Sequence, residues 1–475
     1  MRPRSLKKIP SLILSAVLVV APLLFGSVYP WAYGLLEIGI LAAFLFLLWF
    51  RPVKPSSVII LPKWGLLCLM VFVTWSGVQL IPLPQDVVKF IAEPIYDLWQ
   101  LDFLSQEIVR PHALLTLTLY PYATASTGLL FLCYLLAFHL AFKSALLSDD
   151  SNGSHRVIIS TVVSTGFVVA MVGIVQIGLN TKAIYGFFMP LHSAFFTGPF
   201  VNYNHFAGYL ELAIPLGISV LAYAILSSAR RPIVSSMLWL YGGSLSVMIA
   251  AIFMSHSRGG ILSFCLVAFC QLFIITILFR KIKTHVPAIA LLLIFFVILG
   301  IGSYITNWSR TISRFQVLFQ QELSSNLRWQ LFIDVFQMSK QLPLTGTGLG
   351  TFAVGYPPFK TILRQGIFPH AHNDYLEILA ETGWPGLLLF LGFVVWVLNR
   401  GIVIIFWALS YSKQGDSGLI GRALLVTGCL AGVISLLFHG LVDVNLRIPS
   451  NALTWFVLCG LIVGLSHGFE KPTRK

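Results

Sequence analysis

The sequence predicts an all-α polytopic membrane protein. Of its 475 residues 57% are hydrophobic and only 10% charged, and the mean hydropathy is +0.86. A soluble chain carries about a quarter charged residues, so water-facing surface for this many apolar side chains is out of reach. With 37 Phe, 12 Trp and 15 Tyr a solvated coil is equally excluded. The formal net charge of +14 comes from 31 Lys+Arg against 17 Asp+Glu. In a soluble chain that excess would suggest nucleic acid; here it first raises the question of its distribution across a bilayer.

A crossing needs roughly 17–25 mostly apolar residues. Such runs fall near 11–28, 32–50, 63–81, 123–142, 157–179, 204–227, 236–254, 259–279, 285–304, 384–408, 418–440 and 449–467, which makes about twelve transmembrane helices. The basic start MRPRSLKK before the first run resembles a signal sequence, but it lacks a small-residue cleavage site and a second run follows a tight Tyr29–Pro30 turn. It is expected to be an uncleaved anchor. With the N-terminus inside, 20 of the 31 basic residues fall on the inner side, including the pairs Lys7–Lys8, Arg230–Arg231 and Arg280–Lys281. That asymmetry is the positive-inside pattern; it accounts for most of the charge without nucleic acid and places both termini in the cytoplasm. The six cysteines lie in apolar runs with no metal-ligand spacing and read as small core residues.

Three regions result: residues 1–304, with helices one to nine and an outer loop at 82–122; a large outer loop at 305–373; and residues 374–475, with helices ten to twelve and a tail. The outer face is expected to carry the chemistry, because the costly polar residues gather there. Arg258, in Ser255-His256-Ser257-Arg258-Gly259-Gly260, sits at the outer end of a span, where a guanidinium must snorkel or meet an anion. Its flanking glycines would leave it accessible, and a bidentate phosphate clamp suits the residue type. Arg328 begins a helix that Asn326 can cap. Helical spacing puts Gln330, Asp334, Gln337 and Gln341 on one polar stripe and Arg328 roughly opposite, among Leu331, Phe332, Val335 and Ser339.

The densest polar segment runs from Phe368 to Gly386. Pro369 stops any preceding helix, Asn373 or Asp374 can cap a short one, and Gly383 with Pro385 ends it. His372 then lies at a helix start, where the positive dipole end favours a neutral imidazole. Such a ring, oriented by Asp374, Glu377 or Glu381, suits a general base. His370 is its neighbour in the same motif. Weaker candidates are Asn202, Asn204, His205 and Tyr209, which can bind sugar hydroxyls or satisfy a re-entrant turn, and His439 with Asp443 at the outer end of another span. The Thr345–Phe352 segment has GxGxG-like spacing outside a βαβ unit, so it is either a phosphate approach or a tight turn.

The segments GPFVNYNHFAGYL, SHSRGG, LRWQ followed by PLTGTGLGTF, and HAHNDYLEILAETGWPG together resemble the O-antigen ligase and polymerase superfamily of bacterial envelope glycosyltransferases. The resemblance implies a C-type glycosyltransferase-like membrane fold in the bacterial inner membrane, with a large helical periplasmic loop. It implies an undecaprenyl-diphosphate-linked glycan as donor, lipid A–core or a growing glycan as acceptor, and no metal or other cofactor. By the same resemblance Arg258 and Arg328 hold the donor diphosphate and His372, directly before Asn373, is the catalytic base. His370, Asn373, Asp374, Glu377, Asn202, Asn204, His205, Tyr209, His439 and Asp443 are supporting residues. The reaction expected is inverting transfer to an acceptor hydroxyl, ligase-like, with repeat-unit polymerisation and protein glycosylation as alternatives. A transporter of lipid-linked sugars would keep its ionisable residues near the midplane, where Glu37 and Glu211 are the main carboxylates; a zinc enzyme would use the formal HxHxD of His370, His372 and Asp374.

Overall fold

The computed structural model describes residues 8–49, 64–100, 114–146, 153–190, 196–228, 234–281, 327–362, 366–411 and 417–468. Fifteen α-helices form among these residues: α1 Ile9–Leu23, α2 Pro30–Trp49, α3 Gly65–Gln79, α4 Gln85–Ile91, α5 Glu93–Gln100, α6 Pro121–Leu146, α7 Ser154–Gly178, α8 Tyr203–Ser228, α9 Val234–Met254, α10 Arg258–Arg280, α11 Leu327–Gln341, α12 Phe352–Gly355, α13 Asp374–Tyr411, α14 Ser417–His439 and α15 Pro449–Leu465. The chain is a polytopic helical membrane protein. The expected Tyr29–Pro30 turn separates α1 from α2, and Pro30 opens the second helix.

The count of twelve spans is not reached. Among the described residues seven helices have the length and apolarity to cross a bilayer: α2, α6, α7, α8, α10, α13 and α14. Four shorter apolar helices occupy other predicted positions: Ile9–Leu23, Gly65–Gln79, Leu238–Met254 and Pro449–Leu465. The run at 63–81 illustrates why: Trp64, Leu80 and Ile81 fall outside α3, whose 15 residues give about 22 Å of helix against a hydrocarbon core of roughly 30 Å. The predicted span at 285–304, residues 101–113 of the first outer loop, residues 305–326 of the second and the Asn326 cap lie outside the described residues.

The bundle is organised around α8, α14 and α15. The sequence of α15 is apolar on every side, and all of its residues are buried, as expected for a helix with neighbours all round. It packs on α6 and α14, while α8 packs on α9 and α14, and α10 on α14. At one end of the bundle a second apolar cluster forms outside the main core. It joins Val88, Ile95 and Trp99 of α4–α5 and Leu115 and Leu117 beyond them to Leu331, Val335 and Met338 of α11. The two loops that the sequence sets apart thus fold on each other, and this cluster fixes the helix that carries Arg328.

The break in α13 is at Gly383, whose φ of 66° and ψ of −174° interrupt the helix. A Cβ there would lie 2.6 Å from the Leu344 carbonyl, so both the backbone conformation and the close approach require glycine. The short helix predicted after Asn373 is therefore real, and the long apolar helix follows it without a loop.

Candidate active site

Helix α10 begins where α9 turns back through Ser255, His256 and Ser257. His256 has a φ of 55°, in the left-handed region that few side chains other than glycine adopt. Ser257 is the N-cap: its Oγ accepts from the Gly260 N–H at 3.3 Å and donates to Asn204 Oδ1 at 2.8 Å. The two glycines after Arg258 serve packing, which corrects the reading that they expose the guanidinium. A Cβ on Gly259 would lie 2.7 Å from His439 Cδ2, and one on Gly260 2.7 Å from the Ala207 Cβ and 3.0 Å from Glu211 Oε1. They let the α10 terminus, with its positive dipole end, sit directly on α8 and α14.

Arg328 is half-buried on the inward side of α11, and its Nη1 donates to the Val442 carbonyl at 3.1 Å. The polar stripe expected on this helix is split. Gln337 and Gln341 are exposed, but Asp334 is buried and accepts from Tyr356 Oη at 2.8 Å, from the Thr361 N–H at 2.9 Å and from Thr361 Oγ1 at 2.7 Å. Burial raises the carboxyl pKa of Asp334, and these bonds with that from Gln330 outweigh it, so it ends below its ordinary value. Asp334 therefore anchors α11 to the following loop.

Arg258 and Arg328 line one recess, together with Tyr203, Asn204, His256, Gly259, His439, Val442 and Asp443. Its cavity volume is about 30 Å³, room for roughly one water. Asn204 Nδ2 donates to Asp443, and Asp443 Oδ1 accepts from the Val444 N–H at 2.9 Å. Asp443 is almost fully buried; burial raises its carboxyl pKa, but His372, His205 and His439 beside it outweigh that and hold it well below the usual carboxylate range.

His372 lies against this carboxylate. Its Nδ1 is 3.5 Å from Asp443 Oδ1, within reach of the charge and just beyond a good hydrogen bond. The ring is one-third exposed, while Nδ1 itself is turned inward. The orienter is thus Asp443, in place of the local candidates Asp374, Glu377 and Glu381, because a φ of 51° at His372 turns the chain before α13 starts. Glu377 serves His370 instead: Nδ1 of that ring is 2.9 Å from Glu377 Oε1, and the Ala371 N–H donates to Oε2 at 2.8 Å. Burial lowers the pKa of His370, but Glu377 outweighs it and raises the imidazole above its ordinary value.

Asn373 is the cap of α13, accepting from the Tyr375 and Leu376 N–H groups at 3.0 Å and donating to the Leu441 carbonyl at 2.9 Å. The Asp374 N–H donates to the Gly440 carbonyl at 2.8 Å, and its carboxylate accepts from the Leu446 N–H at 3.2 Å. These two residues pin the 440–446 segment that carries Asp443. They support the site by holding its frame.

Other expectations separate in the same way. Asn202 accepts from the Asn204 N–H at 2.9 Å and shapes the start of α8. Tyr209 is fully buried against Phe200, with ring centroids 5.9 Å apart, so it belongs to the core and does not line the recess of Arg258 and Arg328. His205 is nearly buried beneath the site, and its carbonyl accepts from Asn451 Nδ2 at 3.0 Å. The Thr345–Phe352 segment is a packing turn: the Thr347 and Gly348 N–H groups donate to the Ala380 and Glu381 carbonyls at 3.0 and 2.9 Å, and Gln79 Oε1 accepts from the Leu349 N–H at 3.1 Å. Its amides are engaged with protein, which overturns a phosphate approach there.

Sequence reasoning missed two pairings. Glu211, fully buried in α8, has Oε1 2.7 Å from His439 Nδ1 and accepts from Ser435 Oγ at 2.9 Å through Oε2. Arg447, which carried no signal beyond its charge, has Nε 3.1 Å from Glu377 Oε1 and also pairs with Glu381. The expense of a carboxylate inside an apolar run marked Glu211 as unusual, but no local spacing named its partner.

Residues 243–391 match the family model described as O-antigen ligase, and no curated protein matches the chain. The matched stretch holds Arg258, Arg328 and His372; Asn204, Glu211, His439 and Asp443, which complete the surroundings of those three, lie outside it. The resemblance drawn from the motifs is thus supported over residues 243–391, the stretch similar to the O-antigen ligase family.

Proposed function

We propose that this protein transfers a glycan from undecaprenyl diphosphate to an acceptor hydroxyl at the periplasmic face of the bacterial inner membrane, in the manner of an O-antigen ligase. The observation that carries this reading is the shared recess: Arg258 and Arg328, from separate helices, line a single concavity whose wall includes Asp443, the partner of His372. In this reading the diphosphate headgroup meets the recess while the polyprenyl chain stays in hydrocarbon.

The chemistry follows from the charges. Two guanidinium groups and the N-terminus of α10 face the diphosphate and stabilise the charge that develops as the glycosyl C1–O bond breaks. Asp443 holds the inward nitrogen of His372, which leaves Nε2 to accept the proton of the attacking hydroxyl. Attack from the face opposite the diphosphate inverts C1. In this scheme the cations do the work of a divalent metal, and the acceptor is lipid A–core.

The reading is tested with purified full-length protein, lipid-linked donor and lipid A–core. His372→Asn tolerates the left-handed backbone while removing the base, and Arg258→Ala removes a donor ligand. Both are expected to insert normally and to lose transfer. Wild-type turnover by either would overturn its assigned role. In a deletion strain, long glycans retained on the lipid carrier support ligation, whereas lipopolysaccharide capped by single repeats would make the protein a polymerase.

A further inference from the structure

The Glu211–His439 pair has no part in the scheme above, and its geometry asks for one. Both side chains are essentially inaccessible, with Nδ1 and Oε1 2.7 Å apart. A buried carboxylate–imidazole pair is an expensive way to tie α8 to α14, since apolar residues of similar volume would hold the helices at least as well. Yet the ring, though buried, borders the recess. His439 lines the recess with Arg258 and Arg328, and Nε2 lies 2.9 Å from where a Gly259 Cβ would be. Glycine at 259 leaves that nitrogen facing the α10 terminus and the recess.

We propose that His439 is a third, proton-carrying ligand of the donor diphosphate, with Glu211 as its positioning residue. The inference rests on the donor reading above and deepens it. In the unliganded recess Arg258 and Arg328 oppose a further positive charge. Other ionisable groups around the ring are Glu211 and His205 on α8, His256 in the turn before α10, Asp374 on α13 and Asp443 in the following loop. Arrival of a diphosphate adds negative charge beside a ring that Glu211, Asp443 and Asp374 already favour in its charged form, so the imidazole takes up a proton at Nε2 and donates it towards a diphosphate oxygen, while Glu211 holds Nδ1–H. In the transfer step the C1–O bond breaks with its electron pair passing to the diphosphate oxygen, which His439 Nε2–H then hydrogen-bonds or protonates. The acceptor oxygen forms the new bond to C1, and its proton goes to His372. The donor's negative charge is thereby met by two permanent cations and a protonated imidazole.

Titration calorimetry on the full-length protein in detergent tests this directly. The probe is undecaprenyl-diphosphate-linked N-acetylglucosamine, whose doubly esterified diphosphate has no titrating proton near neutrality. Binding is measured in two buffers of different ionisation enthalpy. Wild type is expected to take up a proton on binding, and His372→Asn to take it up equally. His439→Gln is expected to lose the uptake and to bind roughly tenfold or more weakly, and Glu211→Gln to reduce the uptake with the ring still in place. Proton uptake undiminished in His439→Gln, or binding by wild type with no proton exchange, overturns the proposal and leaves the donor reading standing. Failure of wild type to bind the probe overturns the donor reading itself. If His439→Gln does not fold, wild-type titrations at about pH 6, 7 and 8 decide, since absence of proton exchange at all three excludes the linkage.

Discussion

Arg447 Nε lies 3.1 Å from Glu377 Oε1, and the same guanidinium reaches Glu381 one helical turn further along α13. The residue stands in the turn before α15 and is 8% exposed. It therefore bolts the short helix after the histidine motif to the buried α15. Its charge is held firmly: burial lowers the pKa, and Glu381, Glu377 and Asp374 more than restore it. Removing one partner of a buried ion pair leaves the others uncompensated, at about 3–5 kcal/mol. Arg447→Met is expected to lower thermal stability by that order and to reduce the amount of folded protein in the membrane, read by fluorescence-detected size exclusion. Wild-type stability in this variant would show the pair to be dispensable.

Gly259 and Gly260 make a sharper test of packing against ligand access. Alanine at 259 would push on His439 and Val442, and alanine at 260 on Ala207 and Glu211. Both variants are expected to lose most transfer activity, Gly259→Ala with the smaller loss of stability because a side chain can yield there. Gly34 in α2 has nothing within 4 Å of a Cβ, so Gly34→Ala is expected to be neutral or to stabilise by about 0.5–1 kcal/mol. Full activity in Gly259→Ala would restore the idea that the glycines merely expose Arg258.

Much of this arrangement is legible in the sequence. Apolar runs give most of the helices, and the cost of a cation beside hydrocarbon singles out Arg258 and Arg328, which do share a recess. Local punctuation works equally well around Asn373 and Gly383, where a cap and a left-handed glycine bound the short helix. The missed pairings are all non-local. His372 pairs with Asp443, His439 with Glu211 and Arg447 with Glu377, each across separate helices or loops, and spacing along one helix carries no information about such pairs. Among the described residues, the shorter helices at some expected spans have a different cause, since hydropathy counts the apolar residues of turns as helix.

Two groups outside the spans give the protein a defined pH window. His370 is raised above its ordinary 6.5 by Glu377, so its contribution is fully present below that value and is lost as pH rises through the folded-state value. Asp334 is lowered below its ordinary 3.8 by its hydrogen bonds; its contribution is present above that value and is lost as pH falls through the folded-state one. His370→Gln is expected to flatten only the alkaline limb of the thermal-stability profile, by no more than about 1 kcal/mol because the ring is 39% exposed. Asp334→Asn is expected to flatten only the acid limb. Loss of the wrong limb in either variant would refute the assignment.

Asp443 is expected to act on rate more than on folding. Its carboxylate lies 3.5 Å from the inward nitrogen of His372, while Asn204 and the Val444 amide hold Asp443. Asp443→Asn keeps shape and size but removes the charge that stabilises a protonated His372, and a roughly 10²–10⁴-fold fall in kcat is expected, of the order that general-base catalysis supplies. KM for the donor is expected to change far less. A fall in donor affinity with kcat preserved would place Asp443 with the diphosphate ligands instead of the base.

The HxHxD spelling of His370, His372 and Asp374 makes a zinc site the rival that the fold must answer. Their side chains take different directions: His370 Nδ1 meets Glu377, His372 Nδ1 faces Asp443, and the Asp374 carboxylate accepts from the Leu446 amide. Among the described residues no group of three or more His, Cys, Asp or Glu is arranged to hold a metal ion. Tetrahedral zinc needs nitrogen and oxygen ligands converging at about 2.0–2.2 Å, so the three would have to turn from separate neighbours to meet one ion. Exhaustive chelation is accordingly expected to leave transfer activity unchanged, and His370→Gln, which breaks the formal motif, to retain far more activity than His372→Asn. Activity that vanishes on chelation and returns with added zinc would overturn the arginine-based scheme.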